Sequence, residues 1–521
     1  MEEGPPLLPA QRPPVSVGHD LFWWRHDDAG LRTAVSVYWP RSWEYTELLA
    51  VLQWFDGDGI VIAVHQQWLA ADRMLSVDSS SPPIPLTGAE VLLSVELFAD
   101  GEPITDDDDR HRLYGIIDWY SQAGDIVTLH SDHCVLMEPL ELSLTEIALR
   151  PWEQRDPHLV FLTGEDELPA GSWQLTITNA SGESLTRLID ETWLPWRVHK
   201  VDLCEVFGDL VAFAGGSEIS LTGDRSEQRM FERPYVVSTS PVLSAYHGGD
   251  LYEWDDMPWH RHALLGEGEV NPMVVIETDD ITTDVTLFNT HGHLEEDFWV
   301  GVRVYDEAGQ LVVHEPKFRC ATRNEIVSAS FADFIEVERP FTGHAAFTFT
   351  EPDRAAYPGR LQALMAYRNR DSVARIMAWS DEWNTAQRRI MRRNAGAGYL
   401  SYFRLLGASF LETWVSVTNA GSHELDQPAE CTVIVENHAG ERRAAQLTLA
   451  PWATSFESLD AVVPGATELL GGANGLLLVE SESDLAMVCF TRHVKSGRWS
   501  AEHLMSAPTR VDGGLMWPAG C

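Results

Sequence analysis

The chain has 521 residues, more than one hydrophobic core usually serves, so about three or four domains are expected. With 37 Lys plus Arg against 79 Asp plus Glu, its formal net charge of −42 argues against general binding to nucleic acid or to anionic membrane surfaces. An apolar fraction of 44% and 20 tryptophans exclude a largely disordered chain.

Residues 1–16 read as a disordered, proline-rich tail. They hold neither a basic segment nor an apolar run suited to a signal peptide, so a cytoplasmic location is expected. No window approaches the roughly 18 consecutive apolar residues of a membrane-spanning helix. The six cysteines (Cys134, Cys204, Cys320, Cys431, Cys489, Cys521) form no CxxC pair, and buried free thiols are the simplest reading.

Residues 17–155 read as a Trp-rich β domain, with Trp23, Trp24, Trp39, Trp43, Trp54 and Trp68 near its start. Two acidic stretches in it, FDGDG around Asp56 and TDDDDR at 105–110, lack the ligand alternation and distal glutamate of an EF-hand loop. They are taken as solvated loops.

Internal repetition is the strongest signal. LYGIIDWYSQAGDIVTLH (113–130), GSWQLTITNASGESLTRL (171–188), FWVGVRVYDEAGQLVVHE (298–315) and ECTVIVENHAGERRAAQL (430–447) share an alternating strand, a polar turn and a second strand. Gly124, Gly182, Gly309 and Gly440 fall where a hairpin turn needs a residue tolerant of positive φ. Three copies continue with VDLCEV, FADFIE and ESLDAV, then with two further strands. Trp119, Trp173, Trp299 and Trp414 lie in or beside strands of the repeat and are assigned to cores.

These spacings predict an all-β chain of tandem immunoglobulin-like antiparallel β-sandwich domains with short connecting helices. The boundaries are 17–155, a sandwich at 156–257, a sandwich at 258–395 ending in an Arg-rich helix, a sandwich at 396–506, and a tail at 507–521. The order of strand, Asn-turn, hairpin and closing hairpin resembles the small β-sandwich of sensory-rhodopsin transducer proteins over about a hundred residues per unit. That resemblance implies architecture and transfers no function.

Chemistry is densest between Tyr246 and Asp297. His260 and His262, with Glu267, and His291 and His293, with Glu295, are the candidate metal ligands, because residues i and i+2 of a strand project to one face. Imidazole with carboxylate suits a transition metal better than magnesium or calcium. His260, His262 and Glu267 also resemble a cupin fragment, but the flanking glycines of that family are missing. Trp254, Trp259, His247 and Asp250 form a candidate ligand-binding group beside them. Arg388, Arg389, Arg392 and Arg393, at helical spacing in an acidic chain, are a candidate anion or partner site.

No nucleophile elbow, phosphate-binding loop, dinucleotide fingerprint or HExxH pair occurs, so the sequence leaves catalysis undecided. The favoured reading is a non-enzymatic binding or assembly protein with protein or glycan partners, marked by an apolar or Trp-lined patch outside the cores. The alternatives are a metal-binding protein or metal-dependent enzyme with a His-rich site between domains, and a carbohydrate-binding or carbohydrate-active protein using exposed Trp.

Overall fold

In a computed structural model the protein is described over residues 15–26, 30–38, 47–70, 74–79, 89–99, 113–130, 133–134, 143–225, 231–232, 234–239, 242–247, 249–252, 268–269, 273–288, 298–321, 326–333, 339–350, 362–369, 372–379, 397–419, 427–483, 485–503 and 505–510. These residues form eight antiparallel sheets that pack as tandem β-sandwiches around alternating apolar strand faces. The strand Ser143–Leu149, which precedes the boundary expected at 155/156, runs between Ile219–Arg225 and Gly249–Tyr252 in the second sandwich.

One sheet of each sandwich has four strands in one recurring order, and its last strand lies at the sheet edge. Those last strands are Ile126–His130, Ser244–His247, Ser372–Trp379 and Trp499–His503. Ile126–His130 neighbours Ser244–His247 and Trp499–His503, and Ser372–Trp379 neighbours the same two. The four sandwiches therefore close into a ring around four central strands.

The repeated hairpin in the opposite sheet is built on one turn. Asn179 Oδ1 accepts from the N–H groups of Ser181 and Glu183, and Asn437 Oδ1 accepts from those of Ala439 and Glu441. Asp306 Oδ1 does the same for Ala308 and Gln310. Gly182, Gly309 and Gly440 follow with φ of 81°, 82° and 82°, where a side chain would be strained.

In the first sandwich this hairpin is Glu47–Phe55 with Val61–Ala70, and its turn is FDGDG: Asp56 Oδ1 accepts from Asp58 N and Ile60 N. The Gly124 hairpin that the repeat alignment put here belongs to the other sheet and pairs Tyr114–Tyr120 with the central strand Ile126–His130. It uses the same backbone turn, with Ser121 N donating to Asp125 O and Gly124 N to Ser121 O. The sequence pattern could not separate the two hairpins for that reason.

Short helices close later connections. Leu203–Phe207 is capped by Asp202, whose carboxylate accepts from Cys204 N and Glu205 N, and Leu459–Val462 is capped by Ser458. These are the expected VDLCEV and ESLDAV segments, while FADFIE begins with a 3-10 turn at Phe331–Asp333. The four described α-helices lie within the second and fourth sandwiches rather than between sandwiches.

The junctions alternate in chemistry. The core of the first sandwich runs on into Val160, Leu162 and Tyr235 of the second, and that of the third into Val488, Phe490 and Trp499 of the fourth. Each apolar junction is locked by an aromatic stack over a hairpin turn. Trp196 lies on Phe55 at 4.7 Å and 5°, and Trp452 lies on Tyr305 at 4.8 Å and 7°. Trp196 and Trp452 are the non-glycine residues with positive φ, 57° and 63°, among those described, a conformation that persists only when its surroundings enforce it. His344 stacks on Tyr305 at 4.9 Å and reaches Thr454 Oγ1 of the fourth sandwich at 3.1 Å.

The other two junctions are seams that carry buried ion pairs. Between the fourth and first sandwiches, Arg404 pairs with Asp118, both side chains fully buried. Thr128 Oγ1 donates to Asp118 at 2.7 Å and contacts Ser500 Oγ at 2.8 Å. Between the second and third, Arg150 reaches Asp284 at 3.3 Å and Thr286 Oγ1 at 3.0 Å. Apolar residues also cross both seams: Ala34, Tyr120 and Ile126 cluster with Leu406 and Leu411, Ile116 enters the core of the fourth sandwich, and Leu364 that of the second.

Two outcomes follow from these junctions. Burial holds His344 neutral, its pKa lowered from 6.5 to about 3. The unfolded chain then takes up a proton that the folded one refuses. Stability is unaffected above pH 6.5 and falls as pH drops from there toward 3, by up to roughly 5 kcal/mol from this group alone. Urea midpoints measured against pH should show that slope, and His344→Phe should flatten it. Asp118→Asn takes from buried Arg404 the carboxylate it pairs with, leaving the charge of Asp78, and should cost about 3–5 kcal/mol in chemical denaturation, whereas the double change Asp118→Leu with Arg404→Leu should recover most of the loss.

Candidate functional site

Several of the residues expected to carry chemistry lie outside the described residues: His260, His262, Glu267, His291, His293, Glu295, Trp254, Trp259, Arg388, Arg389, Arg392 and Arg393. Asp250 lies on the strand Gly249–Tyr252 opposite Thr145, and its side chain is likewise outside. The acidic run 105–110 is outside as well. His247 is buried at the end of a central strand. Of the Trp residues near the chain start, Trp23, Trp24 and Trp54 are core, while Trp68 is exposed.

Three places in the ring gather distinctive chemistry. The first is the axis. His130, His247 and Glu502, from the first, second and fourth sandwiches, each offer one ligand atom within 4.8 Å of the others. Their relative exposures are 1%, 3% and 1%. The His130 and His247 rings meet edge to face at 4.2 Å, and the His503 ring meets His130 at 4.7 Å.

Glu502 organises this group. Its Oε1 lies 3.3 Å from His130 Nδ1 and 3.5 Å from His503 Nε2. Its carboxylate also accepts two backbone N–H groups, His130 N on Oε2 at 3.2 Å and His503 N on Oε1 at 2.9 Å. Burial alone would raise its pKa, but the imidazoles of His130, His503 and His247 overcome that effect and hold it near 2. The carboxylate therefore stays ionised in a closed interior, where it can balance a cation.

Sequence reading singled out His247 and missed His130, Glu502 and His503. The relevant signal was not local spacing but strand position, since His130, His247 and His503 end the closing strands of their repeats and Glu502 stands one residue before such an end.

The second place is a cleft of about 1160 Å³ where the second and third sandwiches meet. Its wall carries Thr178, Asn179, Ser181, Ser217 and Ser330, with Trp152 at 47% exposure on its border. Three of its lining carboxylates, Glu153, Glu218 and Asp284, are paired with arginines. Glu153 pairs with Arg368 at 2.6 Å and with Arg375, Glu218 with Arg150, and Asp284 with Arg150 and Arg368. Burial raises the pKa of Glu153 and of Asp284, opposed by those guanidinium groups. Carboxylates so engaged serve the seam and the shape of the cleft better than proton transfer.

The third place is an edge. Among the described residues, Val61–Ala70 ends the six-stranded sheet of the first sandwich. Ile60, Ile62, Val64 and Trp68 are 61%, 41%, 42% and 56% exposed. The strand VIAVHQQWLA holds no Asp, Glu, Lys or Arg, although native sheet edges are commonly blunted by charge. The matching edge strand of the third sandwich, Leu311–Ala321, exposes Leu311 and Val312 before its charged residues begin.

No family model matches the chain, and no curated protein matches it. Among solved structures, similarity is found to a crystal structure of a tetra-tandem repeat in the extending region of a large adhesion protein. It covers 89% of this chain and 92% of that one at 12% identity, with a TM-score of 0.10. A superposition that loose carries no argument. No helix among the described residues is long and apolar enough to cross a membrane.

Proposed function

We propose that this protein is a non-enzymatic binding or assembly protein in which a ring of β-sandwiches presents an open sheet edge to a protein partner. The observation that carries the reading is the uncharged strand Val61–Ala70 with its exposed Ile62, Val64 and Trp68. An edge of this kind recruits an extended segment as one more strand, with main-chain hydrogen bonds giving affinity and alternate side chains giving specificity.

The partner segment is inferred to be apolar at alternate positions and basic at its flanks. A surface of net charge −42 repels a second copy and attracts cations. Asp56 and Asp58 stand at the mouth of the same hairpin.

The cleft favours a second reading, glycan binding, because a half-exposed Trp152 beside hydroxyl and amide side chains offers both a stacking face and hydrogen bonds.

Panning a displayed peptide library on the full-length protein tests the first reading. Selected peptides should alternate apolar residues between basic flanks and should protect the amides of 61–70 in hydrogen exchange. Val64→Lys and Trp68→Lys should weaken binding at least about tenfold while leaving stability within about 0.5 kcal/mol, as for other exposed positions. Protection elsewhere, or self-association in ultracentrifugation that Val64→Lys abolishes, would replace the partner segment with another surface or a second copy. For the second reading, a glycan-array signal lost in Trp152→Ala supports it, and a signal unchanged in that variant refutes it.

A further inference from the structure

We propose that His130, His247 and Glu502 bind one divalent transition-metal ion, best matched by zinc, which clamps the first, second and fourth sandwiches together at the ring axis. The proposal is independent of the sheet-edge reading.

Geometry is the first support. Ligands around a tetrahedral zinc ion at about 2.0–2.1 Å lie roughly 3.3–3.5 Å from one another. His130 Nδ1 and Glu502 Oε1 already stand 3.3 Å apart, and the three donors fall within 4.8 Å.

Donor chemistry is the second. Two imidazoles and one carboxylate suit zinc and its neighbours, whereas magnesium and calcium prefer oxygen sets. The carboxylate is also supported in the way metal sites require: His503 and His130 donate their backbone N–H groups to its two oxygens, fixing its orientation. His503 is a positioning residue through its imidazole, whose Nε2 lies 3.5 Å from Glu502 Oε1.

Burial is the third. With all three side chains nearly inaccessible, no substrate reaches the ion, so its role is structural. Because the donors come from strands far apart in the chain, with His130 and Glu502 372 residues apart, the site exists only when the ring is closed. Metal affinity is then linked to ring closure.

Untagged protein, stripped with a chelator and equilibrated with Zn²⁺, should hold one zinc per chain by elemental analysis and gain thermal stability. Co²⁺ should give the absorption of a tetrahedral site in the unaltered chain, a measurement that needs no variant to fold. His247→Gln and Glu502→Gln should lose the stoichiometric ion and the zinc-dependent stabilisation. His503→Gln should lower affinity by roughly 10- to 100-fold, as loss of an outer-sphere partner does. Wild-type protein that takes up no zinc and shows no tetrahedral Co²⁺ spectrum overturns the proposal. So does one zinc retained in both His247→Gln and Glu502→Gln, which would place the ion elsewhere.

Discussion

Four sheet edges must be hidden, and the ring is the means. Each four-stranded sheet ends in a strand whose outer N–H and C=O groups have no further strand of that sheet to pair with, and such edges are costly to bury and hazardous to expose. Bringing the four edges together around one axis covers them all, provided side chains complete the hydrogen bonding that no ladder supplies. Glu502 does this for two neighbouring strands at once, and Thr128 and Ser500 meet one turn of the pleat away. The polar residues at the axis are thus a requirement of the architecture before they are a site.

The ring is built of two unlike kinds of contact. The first and second sandwiches share one apolar core, as do the third and fourth, and in each pair a tryptophan of strained backbone lies flat on an aromatic residue beside a hairpin turn. The seams between the pairs carry buried ion pairs. In the first sandwich the seam acid is Asp118 with Ala34 as its cross-strand partner, and in the third it is Asp284 with Ala366 opposite. The acid has exchanged strands while the pairing of acid with small residue is kept. That exchange hides the pairwise symmetry from any comparison of linear segments.

The sandwich architecture was legible because alternation and turn chemistry are local. Asn179, Asp306 and Asn437 each announce a turn by themselves. Assignment of the first copy failed for a reason equally local: Ser121–Asp125 and Asp56–Ile60 make the same backbone turn, and the GDG of the latter invited comparison with a calcium loop. The site was less legible. His247 drew notice through its acidic and aromatic neighbours, but His130 and Glu502 sit in unremarkable strands, IVTLH and WSAEH. Only ring closure brings them together, and no spacing rule within a segment encodes closure.

The placement of the ionic seam between the fourth and first sandwiches bears on how the chain is made. Thr128 and Ser500 are 372 residues apart, so the second, third and fourth sandwiches must all emerge before that seam can shut. During the wait the unfinished horseshoe offers to water Asp118 and Thr128 and, beside them, Ala34, Tyr120 and Ile126, which Leu406 and Leu411 later cover. A growing chain thus leaves only its mixed joint open to the end, while the two greasy joints lie between consecutive sandwiches and can shut as soon as each second member is released.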